Sequence, residues 1–104
     1  MVIYEVNLAI DKDIYSQFEI WLKKHAREML QFPGFIHANI LKPENEAVFN
    51  KEQLTVQYQL QNREALDSYF AQYPAKMREE GISLFKDKFS AERRIFEIKE
   101  NISK

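Results

Sequence analysis

Three side chains in this sequence could act together on a small molecule. His25 is a candidate general base, because a neutral imidazole can accept a proton near neutral pH. Tyr58 could orient a substrate through its hydroxyl, and Arg94 could balance the negative charge of an enolate or phenolate. Each also has a structural interpretation, in which His25 and Tyr58 pack in a core and Arg94 pairs with a glutamate or extends into solvent.

Aromatic residues are numerous enough to form the wall of a pocket around such a molecule. They make up 13% of the chain, and small-molecule sites are commonly aromatic cavities with a few polar groups. The same side chains could instead fill a core, with their polar tips at its edge. The aromatic candidates for ligand binding are Tyr4, Trp21, Tyr69 and Tyr73.

The sequence argues against several other kinds of chemistry. It contains no cysteine, which excludes disulfides, iron–sulfur clusters and thiol catalysis. Its two glycines lie too far apart for a phosphate-binding loop, and its two histidines lack the spacing of a helical metal site. The formal net charge is −1 with both signs interspersed, which argues against a dedicated nucleic-acid-binding protein. We therefore expect no cofactor and no metal ion.

Hydrophobic periodicity predicts six elements of secondary structure in the 104 residues. Alternating segments are typical of strands with one buried face, and stripes at helical spacing are typical of amphipathic helices. Their order, strand–helix–strand–strand–helix–strand, predicts one α+β domain over residues 1–104, a ferredoxin-like βαββαβ sandwich. The predicted strands are 2–10, 35–41, 54–60 and 91–99, and the predicted helices are 12–31 and 63 to about 80.

Glycine and proline mark the expected ends of the two helices. Pro33 forbids continuation of the first helix, and Gly34 reverses the chain into the second strand. Pro74 lies inside the second helix, where it predicts a kink or a break with a new piece beginning at the proline. We expect Gly81 to end that helix and residues 82–89 to be irregular.

Two helices can cover only one face of the four-stranded antiparallel sheet. Alternation places Tyr4 and Tyr58 on the covered face, and Arg94 joins them because it shares the parity of Phe96 and Ile98. The open face is then either exposed to solvent or packed against the same face of a second copy. The side chains predicted on the open face are Ile3, Glu5, Asn7, Phe35, His37, Asn39, Leu41, Thr55, Gln57, Gln59, Arg93, Ile95 and Glu97.

The combination of MVIYEVNLAID, a long first helix that carries WLKKH, and the turn PGF resembles a small bacterial family of unknown function. That family is similar to the dimeric α/β-barrel superfamily, which includes antibiotic-biosynthesis monooxygenases and heme-degrading monooxygenases. The resemblance extends from Tyr4 to about Ile98. It implies a homodimer whose sheets meet face to face, but no particular activity, because members of the superfamily differ widely in chemistry.

The heme-degrading branch can be compared with this chain residue by residue. The resemblance implies a histidine ligand on the second helix and a supporting asparagine on the first strand. Asn7 matches the asparagine and is a further candidate for ligand binding. The second helix carries no histidine, because the chain's only two are His25 and His37. We therefore expect that the protein does not degrade heme.

Two functional hypotheses remain open. The first is a non-catalytic homodimer that binds a small ligand or a protein partner. The alternative, which the resemblance implies, is a cofactor-free monooxygenase or isomerase that acts on a small aromatic or enolic substrate. The N-terminal segment is too short and too acidic for a signal peptide, and no apolar run approaches the roughly 20 residues of a membrane helix. We therefore expect a cytoplasmic protein without membrane or nucleic-acid partners.

Overall fold

The computed structural model describes residues 1–44, 49–72 and 74–104, and these form one antiparallel sheet with helices on one face. The predicted ferredoxin-like architecture is confirmed. Among the described helices, none is long and apolar enough to cross a membrane. The strands are β1 (Val2–Asp11), β2 (Phe35–Leu41), β3 (Lys51–Leu60) and β4 (Phe89–Glu97), and the helices are α1 (Tyr15–Met29), α2 (Arg63–Gln72) and α3 (Pro74–Phe85), with a 3-10 turn at Lys12–Ile14 before α1.

Strands β1 and β3 occupy the centre of the sheet, as their regular alternation predicts. The strand order is β2-β3-β1-β4, and each neighbouring pair is antiparallel. Tyr4 of β1 lies opposite Tyr58 of β3 and Ile95 of β4. Because successive residues of a strand point to opposite faces, this register directs these three side chains to the helices and the neighbouring Glu5 to the open face.

The hydrophobic core lies between the central strands and the helices. Phe18 of α1, Leu60 of β3 and Leu66 of α2 are fully buried, and burial of a side chain of this size contributes about 1.5–3 kcal/mol to folding. Aromatic rings continue the core toward the end of α3. The ring centroid of Phe18 lies 5.1 Å from that of Phe85 and 5.0 Å from that of Phe89.

The second helical segment is interrupted as expected, and α3 begins at Pro74. The prediction that Gly81 ends this segment is wrong, because α3 continues to Phe85 and β4 begins at Phe89, leaving little irregular chain between them. Gly81 instead allows two helices to approach each other. A Cβ atom at this position would lie 2.9 Å from Cη2 of Trp21 on α1, so only glycine lets α3 pack this closely without displacing the indole.

An irregularity at the start of β2 changes the predicted orientation of Phe35. Phe35 lies opposite Leu60, whereas His37 lies opposite Gln59, so the register shifts between the two β2 residues. The shift turns Phe35 toward the helices, where its ring centroid lies 5.5 Å from that of Tyr69. The expectation that Phe35 faces outward is therefore wrong, because a bulge breaks the strict alternation of a strand.

The turn between α1 and β2 has two requirements that only glycine meets. Gly34 has a φ angle of +86°, in the left-handed region that other residues rarely adopt. A Cβ atom on Gly34 would also lie 2.3 Å from the Cβ atom of Ala65 on α2. The carbonyl of Gly34 accepts a hydrogen bond of 2.9 Å from the backbone N–H of Gln61, which ties this turn to the end of β3.

We predict that Gly34→Ala lowers the free energy of unfolding by about 2–4 kcal/mol, because it adds backbone strain to a steric clash. Urea denaturation of the variant and the wild type measures the difference. A double-mutant cycle with Ala65→Gly should show favourable coupling, since the second change removes the clash but leaves the strain. Unchanged stability of Gly34→Ala would contradict this interpretation.

Candidate functional site

A cleft of about 360 Å³ opens between the helix-facing side of the sheet and helices α1 and α3. This volume is typical of small-molecule sites. Tyr73, which the sequence also predicts at the wall, lies outside the described residues. The structure brings five of the predicted site residues to the cleft wall, namely Tyr4, Trp21, His25, Tyr58 and Tyr69.

Three tyrosines form the aromatic wall on the sheet side of the cleft. The ring centroid of Tyr4 lies 6.0 Å from that of Tyr58 and 6.3 Å from that of Tyr69. Burial raises the pKa of Tyr58 far above its ordinary value, and burial, followed by the neighbouring Tyr4, raises the pKa of Tyr69 to about 12. Both hydroxyls are therefore neutral near pH 7 and can orient a ligand as hydrogen-bond donors, but they do not supply a phenolate base.

The guanidinium that β4 contributes to the cleft belongs to Arg93 and not to Arg94. Arg93 lies opposite Val6 on the helix side of the sheet, and its Nε donates a hydrogen bond of 3.0 Å to the hydroxyl of Tyr4. Arg94 lies opposite Glu5 on the open face, with its guanidinium carbon 4.8 Å from the ring centroid of Phe96.

The predicted orientation of β4 is therefore wrong for the whole strand. The physical reason for the error is the composition of the strand. Both of its faces carry an apolar residue and an arginine, so alternation by itself cannot orient it. The register with β1 decides the orientation. It places Arg93, Ile95 and Glu97 on the helix side, although all three were expected on the open face.

The cleft has a positive wall without compensating carboxylates. Arg78 and Lys86 from the region of α3 and Arg93 from β4 line it, and no aspartate or glutamate is among its described lining residues. None of these three cations takes part in an ion pair within the described ranges 1–44, 49–72 and 74–104. An unpaired cation beside apolar surface favours binding of an anion.

Two of these cations could not be found from the sequence. Lys86 lies just after α3, in a segment predicted to be irregular, and Arg78 lies on a helix that was predicted to end three residues later. The continuation of α3 through Gly81 to Phe85 brings Lys86 beside the cleft, and the packing of α3 against the sheet brings Arg78 there. Arg93 shares one face of β4 with the apolar residue Ile95, which could have indicated that it faces the helices. Arg94 shares the other face with Phe96, and this pattern is equally consistent with the opposite orientation.

His25 lies in the wall of the cleft, on the helix-facing side of the sheet where the sequence predicts it. Its ring stacks on the indole of Trp21, with the centroids 4.6 Å apart and the planes inclined by 22°. Burial lowers the pKa of His25 below its ordinary value, although the negative charges of Glu80 and Glu28 oppose this shift. The imidazole is therefore neutral at pH 7, and its Nδ1 is buried without a hydrogen-bond partner in the described part of the chain.

Trp21 connects the two helices that flank His25. Its indole Nε1 donates a hydrogen bond of 3.2 Å to a carboxylate oxygen of Glu80 on α3. The indole also packs against Gly81, the residue that follows Glu80 on α3. These contacts hold the imidazole of His25 near the two carboxylates of Glu28 and Glu80.

Asn7, a further candidate for ligand binding, does not line this cleft. It lies on the open face of the sheet, where its amide Nδ2 donates a hydrogen bond of 2.9 Å to Glu5 and its Oδ1 accepts one of 2.8 Å from Thr55. Gln57 donates a third bond of 2.9 Å to Glu5, and hydrogen bonds from Gln57 and Asn7 lower the pKa of this carboxyl. Asn7 is thus part of a polar network across β1 and β3.

Solved structures with this fold include proteins of different activities. A protein from Deinococcus radiodurans assigned to the antibiotic biosynthesis monooxygenases superposes with a TM-score of 0.77 at 13% identity, covering 99% of this chain and 97% of that one. SnoaB, a cofactor-independent oxygenase from Streptomyces nogalater, gives 0.71 at 14% identity, covering 99% and 98%. MhuD, a heme-degrader from Mycobacterium tuberculosis with two hemes in its active site, gives 0.70 at 15%, covering 99% and 100%. Identities this low establish a shared fold only.

The similarity in fold confirms the resemblance to antibiotic-biosynthesis-monooxygenase-like proteins. No curated protein is similar to the chain in sequence. The family profile of a domain of unknown function, DUF4286, matches residues 1–99. Because this match covers nearly the whole chain, the protein belongs to the DUF4286 family.

Proposed function

We propose that this protein is a non-catalytic homodimer that binds a small, largely apolar anion in the cleft between sheet and helices. The observation that carries the proposal is the positive wall formed by Arg78, Lys86 and Arg93. The chain has a net charge of −1, yet three cationic side chains line this one aromatic cavity. No carboxylate is among the described residues that line the cavity. An anionic ligand would satisfy these cations when it enters.

The remainder of the cleft suits an apolar or aromatic body. Tyr4 and Tyr58 line the cavity and are buried from bulk solvent, with 3% and 2% of their surface exposed. Met77 and Ile82 of α3 contribute aliphatic surface on the opposite side. Removal of the apolar part of a ligand from water against such walls would favour binding by about 25 cal/mol for each Å² of apolar surface buried.

Arg93 is the best-positioned anion ligand among the three cations. Its Nε is held by the hydroxyl of Tyr4, which fixes the plane of the guanidinium. The terminal nitrogens form no ion pair with a carboxylate in the described residues. A preorganised guanidinium can bind a carboxylate or sulfonate through two parallel hydrogen bonds.

Heme fits this site poorly. Neither α2 nor α3 carries a histidine that could ligate iron. Asn7, the one residue that matched the heme-degrading branch, lies on the other side of the sheet from the cleft. These two observations support a ligand without iron.

We predict that anilinonaphthalene sulfonate binds in the cleft, whereas its neutral analogue phenylnaphthylamine binds more weakly. Trp21 is the only tryptophan in the chain and lines the cleft, so quenching of its fluorescence can follow each titration. Arg93→Met keeps an apolar side chain but removes the cation, and it should weaken sulfonate binding about tenfold. The phenylnaphthylamine affinity should change little.

The neighbouring residue provides a matched control for this titration. Arg94→Met removes the same charge one position along the chain but on the open face, and it should leave sulfonate binding unchanged. Equal losses in the two variants, or equal affinity of the wild type for both dyes, would contradict the proposed anion site. A heme titration in parallel should give no stable complex.

The homodimer in this proposal is supported by the open face of the sheet. The Cα atoms extend over 38 × 36 Å but only 18 Å in thickness, as expected for one sheet and one layer of helices. On the open face, the network around Glu5 is accompanied by the apolar side chains of Ile3, Leu41 and Phe96. Glu5 is only 8% exposed because its neighbours shield it. A flat face that combines apolar side chains with polar groups already hydrogen-bonded to one another suits the two-fold interface that we propose.

We predict that light scattering gives a mass of twice 12.5 kDa at working concentration. Thr55→Arg should shift the protein toward the monomer, because each copy would have to bury a new, unpaired charge at the proposed interface. Ser83→Arg places the same charge on the exposed surface of α3 and should leave the mass unchanged. A wild-type mass equal to that of one chain would refute the dimer, and circular dichroism checks that each variant is folded.

A second candidate function is a cofactor-free oxygenase or isomerase, and His25 is the observation that favours it. A neutral imidazole with a buried, unpartnered nitrogen lies in the cleft wall. Removal of a proton from an enolic or phenolic ligand would be assisted by such a base, while Arg93 would balance the charge that develops. Arg93 takes the role that the sequence assigned to Arg94.

We predict, for this second function, that the protein accelerates deuterium exchange at the acidic carbon of an enolisable aryl ketone. The base must be unprotonated, so the rate should rise with pH and reach half of its plateau value below the ordinary histidine pKa of about 6.5, because burial lowers the pKa of His25. His25→Gln should abolish the acceleration. His37→Gln, on the open face, is the control, and an unchanged rate in His25→Gln would exclude this mechanism.

A further inference from the structure

Three potential metal ligands converge where α1 meets α3, next to the cleft. His25 and Glu28 are three residues apart on α1 and therefore lie on the same side of the helix. Glu80 approaches them from α3. One donor atom from each of these side chains lies within 4.8 Å of the others.

The described surroundings of this cluster supply no cation for its two carboxylates and no partner for one imidazole nitrogen. The Nδ1 atom of His25 is buried and accepts or donates no hydrogen bond in the described residues. Neither Glu28 nor Glu80 belongs to an ion pair in the described part of the chain. Two carboxylates held close together without a cation repel each other, and buried polar atoms generally have a partner.

We infer that His25, Glu28 and Glu80 form a binding site for a divalent transition-metal ion, with zinc as the expected occupant. One imidazole nitrogen and two carboxylate oxygens are ligands that zinc accepts, and the imidazole makes calcium or magnesium an unsuitable occupant. Donor atoms around a tetrahedral zinc ion are separated by about 3.4 Å. The observed spacing of up to 4.8 Å is wider, so this site requires the two glutamate side chains to turn toward His25 when the ion binds.

The position of Glu80 is already supported from outside the cluster. The indole N–H of Trp21 donates to one of its carboxylate oxygens, which leaves the other oxygen for a metal ion. Hydrogen bonds of this kind orient metal-binding carboxylates and increase their affinity. The glycine at position 81 lets this part of α3 come close to α1.

Three protein ligands would leave a fourth position of the ion for water or for another molecule. Because His25 also lines the cleft, the ion would lie in the cleft wall. Metal binding occupies the lone pair of the imidazole, so His25 cannot be a general base in the same molecule while the ion is bound. The site does not depend on the anion proposed above, which interacts with Arg93 on β4.

The test is a calorimetric titration of zinc into chelator-treated full-length protein. The wild type should bind one zinc ion per chain, with a change in the fluorescence of Trp21, whose indole contacts Glu80. His25→Ala and Glu80→Gln should each weaken binding at least tenfold, since each removes one of three ligands. Glu28→Gln should weaken binding in the same direction.

Two controls separate this site from non-specific binding. Glu79→Gln changes the adjacent carboxylate on α3, which is not part of the cluster, and it should bind zinc like the wild type. His37→Ala removes the chain's other histidine and should also retain binding. The inference would be overturned if the wild type binds no zinc in molar excess, or if binding survives in both His25→Ala and Glu80→Gln while His37→Ala loses it. Circular dichroism establishes that each variant is folded before its affinity is compared.

Discussion

The antiparallel pairing of β1 with both of its neighbours is the constraint on which the rest of this structure depends. Tyr4 of β1 lies opposite Tyr58, and Val6 lies opposite Arg93, so one register directs the aromatic wall and the guanidinium to the same side. Since the side chains of a strand alternate, a shift of one residue in β4 would exchange Arg93 for Arg94 at the cleft. The charge of the cleft therefore depends on backbone hydrogen bonds at an edge strand.

The close approach of α3 to α1 is the second determinant of the site. Gly81 has no side chain, and the indole of Trp21 lies against its backbone. The same indole stacks on His25 and donates a hydrogen bond to Glu80. One small residue on α3 thus allows an aromatic ring, an imidazole and a carboxylate to come together from two helices.

The cleft and the neighbouring contact between α1 and α3 carry opposite charges. Arg78, Lys86 and Arg93 make one part of the cleft wall positive, whereas Glu28 and Glu80 lie beside His25. Neither group of charges is neutralised by an ion pair in the described residues. An anion for the cleft and a metal ion for the carboxylates are the complementary partners that we propose.

Much of the architecture was determined by the sequence alone. Strict alternation in β1 and β3 identified the central strands and placed Tyr4 and Tyr58 on the covered face, because only an inward-facing row needs to be apolar. Pro74 predicted where α3 begins, because proline has no N–H to donate within a helix. The aromatic wall of the cleft and the place of His25 in it followed from these patterns.

Only the tertiary structure decided the orientation of β4 and of Phe35, the role of Gly81 and the partners of the charged groups. Strand β4 carries an apolar residue and an arginine on each face, so alternation could not orient it, and the bulge in β2 reverses the orientation of Phe35. Glycine ends some helices and permits close packing in others, and the sequence does not distinguish these uses. The approach of Glu80 to His25 depends on the packing of two helices separated by much of the chain. Local periodicity reports which face of a segment is buried, but which residues of different segments meet is decided by register and packing.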